Sequence, residues 1–155
     1  MISLLLMLAA QGATGKLPGA QALAPPTGEE QAVLNSVNAL LASFNTGKPA
    51  EILRWVYPDG RVTVTGALPD RTGIRSESWT QFTQREAGSS FRETISDPAV
   101  EIDGDVAMVW ASFVVRVASK VYNCGVDHFD LVRENKVWKV MNLTFSSRIT
   151  GCPAQ

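Results

Sequence analysis

The chain has 155 residues, of which 45% are hydrophobic, 19% charged and 8% aromatic. This composition fits one globular domain and excludes collagen, a coiled coil and wholesale disorder. With 14 Lys and Arg against 15 Asp and Glu, no basic excess is available to neutralise phosphates, so nucleic acid is not an expected partner.

The N-terminus opens on Ile2 to Ala10, an uncharged apolar run about half the roughly 20 residues a membrane helix needs, so no membrane span is expected. Small residues and Ala20-Gln21-Ala22 follow. Together they match the apolar core and A-x-A cleavage pattern of a secretory signal, although no Lys or Arg precedes the run. From Gly12 to Gly28 the chain is dense in Gly and Pro, which oppose regular structure through backbone entropy and missing donors. A signal peptide and disordered linker are therefore expected over residues 1–26, a folded domain over 27–152, and a periplasmic or secreted location.

Thr27 and Glu30 form a capping box, and Val33, Leu34, Val37, Leu40, Leu41 and Phe44 recur at helical spacing up to Gly47. Pro49 introduces a shorter helix, Ala50 to Val56, stopped by the turn sequence Tyr57-Pro58-Asp59-Gly60. Arg61 to Thr65 alternates as a strand. A loop with Pro69, Asp70 and Gly73 leads to a third helix, about Glu77 to Ala87, capped by Ser76 and ended by Gly88. The remainder reads as β: Phe91 to Ser96, Pro98 to Ile102, then Val106 to Val117 after Asp103-Gly104, a strong hairpin signal. Turns near Ala118 to Lys120 and at Glu134-Asn135 lead into Val121 to Arg133 and Lys136 to Ile149. Helices followed by a meander of long strands specify an α+β plan, with helices on one face of a curved antiparallel sheet.

The long strand from Val106 is apolar on both sides, with Met108 and Trp110 on one face and Val109, Ala111, Phe113 and Val115 on the other. Helices can cover only one face. The other is expected either to meet a second copy, making a homodimer, or to lie under loops. Cys124 and Cys152 would pair in an oxidising compartment and remain buried thiols in a reducing one. Cys124 cannot share a proton with His128, four positions along the same strand. One His and two Cys fall short of a structural zinc site, and no glycine-rich phosphate loop occurs, so neither metal nor cofactor is expected.

The stretch Cys124-Gly125-Val126-Asp127-His128-Phe129-Asp130-Leu131-Val132, with Trp138-Lys139-Val140, Leu143-Thr144-Phe145 and Gly151-Cys152, resembles the nuclear transport factor 2-like superfamily, which includes SnoaL-like and lumazine-binding-like domains. The resemblance covers about residues 29 to 152, with its specific part in the last thirty. It implies a cone of helices on a curved sheet, a pocket at the wide end and homodimers packed sheet to sheet. It does not imply one function, because isomerases, dehydratases, cyclases and transport adaptors share the fold.

If the Glu134-Asn135 turn is closed by Arg133 and Lys136, Leu131 opposes Trp138, Phe129 opposes Val140 and Asp127 opposes Asn142. A hairpin turning at Ser119-Lys120 sets Ser112 opposite Asp127 and Trp110 opposite Phe129. A candidate pocket follows: Asp127 as an acid-base carboxyl, with Trp110, Ser112, Phe129, Trp138 and Asn142 around it and Tyr57 at the rim. Asp127 has a second reading, as a structural carboxylate satisfied at the bend of the sheet. No second inward carboxylate is identifiable, and His128 falls on the opposite face. The leading expectation is an exported domain that binds a small hydrophobic or aromatic molecule. The alternatives are an acid-base enzyme, an isomerase, dehydratase or cyclase of SnoaL-like or ketosteroid isomerase-like type, and a dimeric interaction module without a ligand.

Overall fold

The computed structural model describes residues 25–153. Ile2–Ala10 and Ala20-Gln21-Ala22, on which the expected signal peptide rests, lie outside the described residues. The first helix, α1 (Gly28–Ser43), starts as its capping box requires. The Thr27 hydroxyl accepts from the Glu30 amide and the Glu30 carboxylate accepts from the Thr27 amide. Its stripe of Val33, Leu34, Val37, Leu40 and Leu41 is buried. Each such side chain contributes about 1.5–3 kcal/mol on burial, which outweighs the modest intrinsic helix propensity of two valines. A 3-10 turn, Phe44–Thr46, ends at Gly47, whose φ of 60° suits a residue without a Cβ.

Helix α2 (Pro49–Leu53) carries proline at its first position, as expected, and stops earlier than Val56. Strand β1 (Arg61–Leu68) is followed by the short strands β2 (Arg71–Thr72) and β3 (Arg75–Ser78), both antiparallel to β1. This corrects the start of the third helix. Ser76 and Glu77 lie in β3, and α3 (Trp79–Arg85) is capped by Ser78 in a capping box with Gln81. The Ser-x-x-Gln pattern competed with a neighbouring Ser, and the hydrogen bonds of Ser76 to Arg61 and Thr63 tie it to the sheet.

Four long strands complete the domain: β4 (Arg92–Asp103), β5 (Val106–Val117), β6 (Lys120–Glu134) and β7 (Val137–Ser147). The two expected strands flanking Pro98 are one edge strand, β4, with a register shift between Ser96 and Ala99. Proline lacks a ladder donor and is tolerated at such a bulge. The sheet order is β2-β1-β7-β6-β5-β4, with β3 also on β1. The pairing is mixed, because β1 runs parallel to β7 while the meander β4 to β7 is antiparallel.

The curved sheet wraps its inner face round α1. The core joins the α1 stripe to Ile52, Trp79 and Phe82 and to the inward residues Val109, Ala111, Phe129, Leu131 and Val140. Trp55 packs half-buried at its margin. The outer face is polar with an apolar stripe: Val106 is 58% and Trp110 53% exposed.

A disulfide joins Cys124 to Cys152 across 28 residues and holds the C-terminal segment against the start of β6. Such a bond persists in oxidising compartments. Among the described residues, no helix is long and apolar enough to cross a membrane.

Candidate functional site

Two bulges decide what the inner face presents. The β5–β6 turn is Ala118-Ser119, both with positive φ, closed by Val117 and Lys120. Tyr122 is then an extra residue on β6, so Val115 pairs with Asn123 and Ala111 with Asp127. The β6–β7 turn is Asn135-Lys136, closed by Glu134 and Val137, and Met141 is an extra residue on β7. Asp127 consequently opposes Phe145, and Phe129 opposes Leu143. Each inserted residue switches the side to which the following residues point.

These insertions overturn the expected neighbours of Asp127. Trp110 and Ser112 lie on the outer face, where Trp110 stands 6.0 Å from the ring of His128. Asn142 also leaves the inner face. Its Oδ1 accepts from the Arg61 amide at 2.9 Å and its Nδ2 donates to Asp130 at 3.4 Å, which ties β1 and β6 to β7. Phe129 and Trp138 point inward but are core residues. Ser36 of α1 donates to the Trp138 carbonyl at 3.0 Å, and Arg133 stacks 4.8 Å over the Trp138 ring. Tyr57 does not line the cavity and donates to Glu134 at 3.3 Å.

Asp127 is inward and 1% exposed, and it borders a cavity of about 380 Å³. The buried part of the wall is Phe44, Phe82, Phe113, Val115, Leu143 and Asn123. Phe91 and Phe145 are half-buried, and Arg71, Arg85, Ser89 and Tyr122 are exposed at the mouth. Phe113 and Phe145 meet edge to face at 5.7 Å, a favourable arrangement of ring quadrupoles. Gly125 lies between the Asn123 and Asp127 positions. A Cβ there would stand 2.0 Å from the Ser146 carbonyl oxygen and 3.0 Å from Phe113, so only glycine lets β7 and the Phe113 ring approach this closely. A larger groove of about 650 Å³, lined by Arg92, Arg116 and Ser119, shares Ser90 and Phe91 with the cavity. None of its lining residues is buried, so the chemistry of interest lies in the smaller cavity.

The partner of Asp127 is Glu93 of β4, a second inward carboxylate that the sequence reading passed over. Its signal was present in the alternation Phe91, Glu93, Ile95, which puts Glu93 on the apolar side of its strand. The two carboxyls lie within hydrogen-bonding reach of each other, with Asp127 as donor. No N–H or hydroxyl among the described residues satisfies the buried Asp127 Oδ2. Burial pushes the Asp127 carboxyl well above the usual carboxylate range, and the Glu93 charge raises it further. Burial also pushes Glu93 up to about 7, against the hydrogen bond from Asp127, which favours its ionised form. The pair therefore holds a shared proton on the Asp127 side near neutrality.

The other buried polar group of the wall, Asn123, and the arginines at the mouth are occupied. Asn123 Nδ2 donates to Ser147 at 2.9 Å, and Ser147 donates to the Ala67 carbonyl at 2.6 Å. At the mouth Arg85 pairs with Glu77 and Glu86, and Arg71 with Asp70. Among the described residues, no cluster of three His, Cys, Asp or Glu is placed to hold a metal.

No family model matches the chain, and no curated protein matches its sequence. Solved structures do share its fold. An NTF2-like protein from Cytophaga hutchinsonii superposes with a TM-score of 0.66 at 12% identity, covering 79% of this chain and all of its own (100%). An NTF2-like protein of unknown function from Methylobacillus flagellatus gives 0.60 at 13% identity, over 81% and 96% of the two chains. A nuclear transport factor 2 (NTF2-like) superfamily protein from Salmonella enterica gives 0.58 at 16% identity, over 79% and 92%. At these identities the likeness establishes the fold, and the chain has the nuclear transport factor 2-like fold.

Proposed function

We propose that the chain is an exported domain that binds a small hydrophobic or aromatic molecule in the cavity between α3 and the inner face of the sheet, with one polar group of the ligand meeting the Glu93–Asp127 pair. The observation that carries this reading is the buried Asp127 Oδ2 on the wall of a largely aromatic cavity, which no described residue other than its carboxyl partner Glu93 is placed to satisfy. An unsatisfied buried polar group costs about 1–3 kcal/mol, and a ligand donor would recover that cost. The volume lies within the range of about 300–1,000 Å³ typical of small-molecule sites. The folded unit is assigned to residues 27–152. Export is supported by the Cys124–Cys152 disulfide together with the apolar leader Ile2–Ala10. A homodimer through the outer sheet face is supported by the exposed Val106 and Trp110.

A second reading, acid-base catalysis of the isomerase, dehydratase or cyclase type, is favoured by one specific observation. Burial displaces both carboxyls upward, yet the hydrogen bond leaves them unequal, with Glu93 the first to ionise and Asp127 the one that keeps its proton. Glu93 would take a proton from the substrate while Asp127 gives one to a developing oxyanion.

Native mass spectrometry of the purified protein tests the binding reading. The expected result is a small-molecule adduct that is weaker in the Asp127→Asn variant. A protein that carries no adduct and shows no saturable binding across a panel of apolar and aromatic compounds overturns it. The catalytic reading fails if Asp127→Asn leaves turnover of the identified ligand unchanged.

A further inference from the structure

The placement of charge in the cavity restricts its occupant further. Two carboxyls, Glu93 and Asp127, line the interior, and the cationic groups of the lining, Arg71 and Arg85, are both exposed at the mouth. Both arginines are also engaged, Arg71 by Asp70 at 3.1 Å and Arg85 by Glu77 and Glu86. The remaining titratable lining groups are Glu86 and Tyr122, neither of which brings positive charge. With one proton shared, the interior keeps a net negative charge among phenyl rings, an arrangement that is costly until a cation enters. The walls suit the same guest, because the phenyl rings of Phe91, Phe113 and Phe145 attract cations as well as apolar groups, while the Phe82 ring already carries the Arg85 guanidinium at 5.3 Å.

Resting on the reading of this cavity as a ligand site, we propose that its occupant is a cationic amine, an aromatic or aliphatic body between the phenyl rings with its ammonium donating to Asp127 Oδ2 and to Glu93. An ammonium offers three donors and a compensating charge. An alcohol offers one donor and no charge, and a carboxylate would be repelled. A bound ammonium favours the ionised pair, so amine binding near neutral pH must release a proton to solvent.

Isothermal titration calorimetry with the purified full chain tests this, using benzylamine, phenethylamine and tryptamine beside benzyl alcohol, phenethyl alcohol and tryptophol. At about pH 8 at least one amine should bind roughly tenfold or more tighter than its alcohol, the gain expected of a charge-assisted hydrogen bond. Near pH 7 the heat should vary with the ionisation enthalpy of the buffer, reporting proton release. Glu93→Gln should bring amine and alcohol to parity. Alcohols that bind as tightly as the amines overturn the amine assignment and leave the cavity reading standing. If no compound of either set saturates a protein whose circular dichroism is native, both readings fall.

Discussion

Glu93 and Asp127 meet across a strand that belongs to neither of them. Glu93 lies on β4 and Asp127 on β6, with β5 hydrogen-bonded to both. Between their levels in the sheet lies the Phe113–Gly125 pair of β5 and β6. Two carboxyls brought together in this way cannot both ionise cheaply, and the pair sets the character of the cavity.

The first prediction concerns pH. Glu93 is raised in the folded protein to about 7, so between its unfolded pKa and that value the folded state binds more protons than the unfolded state. This contribution to stability is fully present below about pH 4, is lost as pH rises toward about 7 and is absent above it. Glu93→Gln should remove the slope. Its stability relative to wild type should rise by on the order of 2 kcal/mol between about pH 4.5 and pH 7.5, a figure already reduced for the solvent that reaches an open cavity. Urea denaturation at a series of pH values measures the difference, and parallel curves would refute it.

The disulfide closes a loop of 28 residues, for which the chain-entropy estimate gives about 3 to 4 kcal/mol. Cys152→Ser should lower the denaturation midpoint accordingly. Wild-type protein under reductant should reproduce the loss, and the variant should no longer respond to reductant.

Gly125→Ala places a methyl group 2.0 Å from the Ser146 carbonyl oxygen. The obstacle is backbone in the β6–β7 ladder, which cannot swing away as a side chain can. We expect a loss of roughly 2 kcal/mol or more, together with weaker ligand binding because the Phe113 ring is displaced. Chemical denaturation and calorimetry on the same preparation read both effects.

Phe129→Ala separates core from cavity. Phe129 is fully buried and does not line the cavity, so the substitution should cost about 3 to 5 kcal/mol. Any protein that remains folded should keep its preference among ligands. A changed preference would place Phe129 in the site.

Trp110→Lys tests the outer face. With Trp110 at 53% exposure, the substitution should change monomer stability by less than about 0.5 kcal/mol while abolishing the proposed dimer. Light scattering during size exclusion gives the mass directly, and a dimer that survives the substitution removes this face as the interface.

The legible part of the chain is the part that local chemistry dictates. Thr27 and Glu30 announce α1 because a capping box satisfies amides that no later residue can reach. Asp127 reads as inward because Phe129 and Leu131 follow it at the strand period. Glu93 was legible by the same rule, between Phe91 and Ile95, but its partner on a non-adjacent strand was not. The start of the helix capped by Ser78 is ambiguous in the sequence because two serines lie two positions apart and only the pairing of β3 with β1 distinguishes them.

The sequence by itself determined the long helix α1, the order of the main helices and long strands, and the inward orientation of Asp127, since caps, period and turn residues act over a few positions. Tertiary structure alone decided the company Asp127 keeps. The extra residues Tyr122 and Met141 turn Trp110, Ser112 and Asn142 to the outer face and bring Phe145 inward. Whether a strand accommodates a bulge depends on how its neighbours curve round α1, a packing energy that no single strand carries in its own residues.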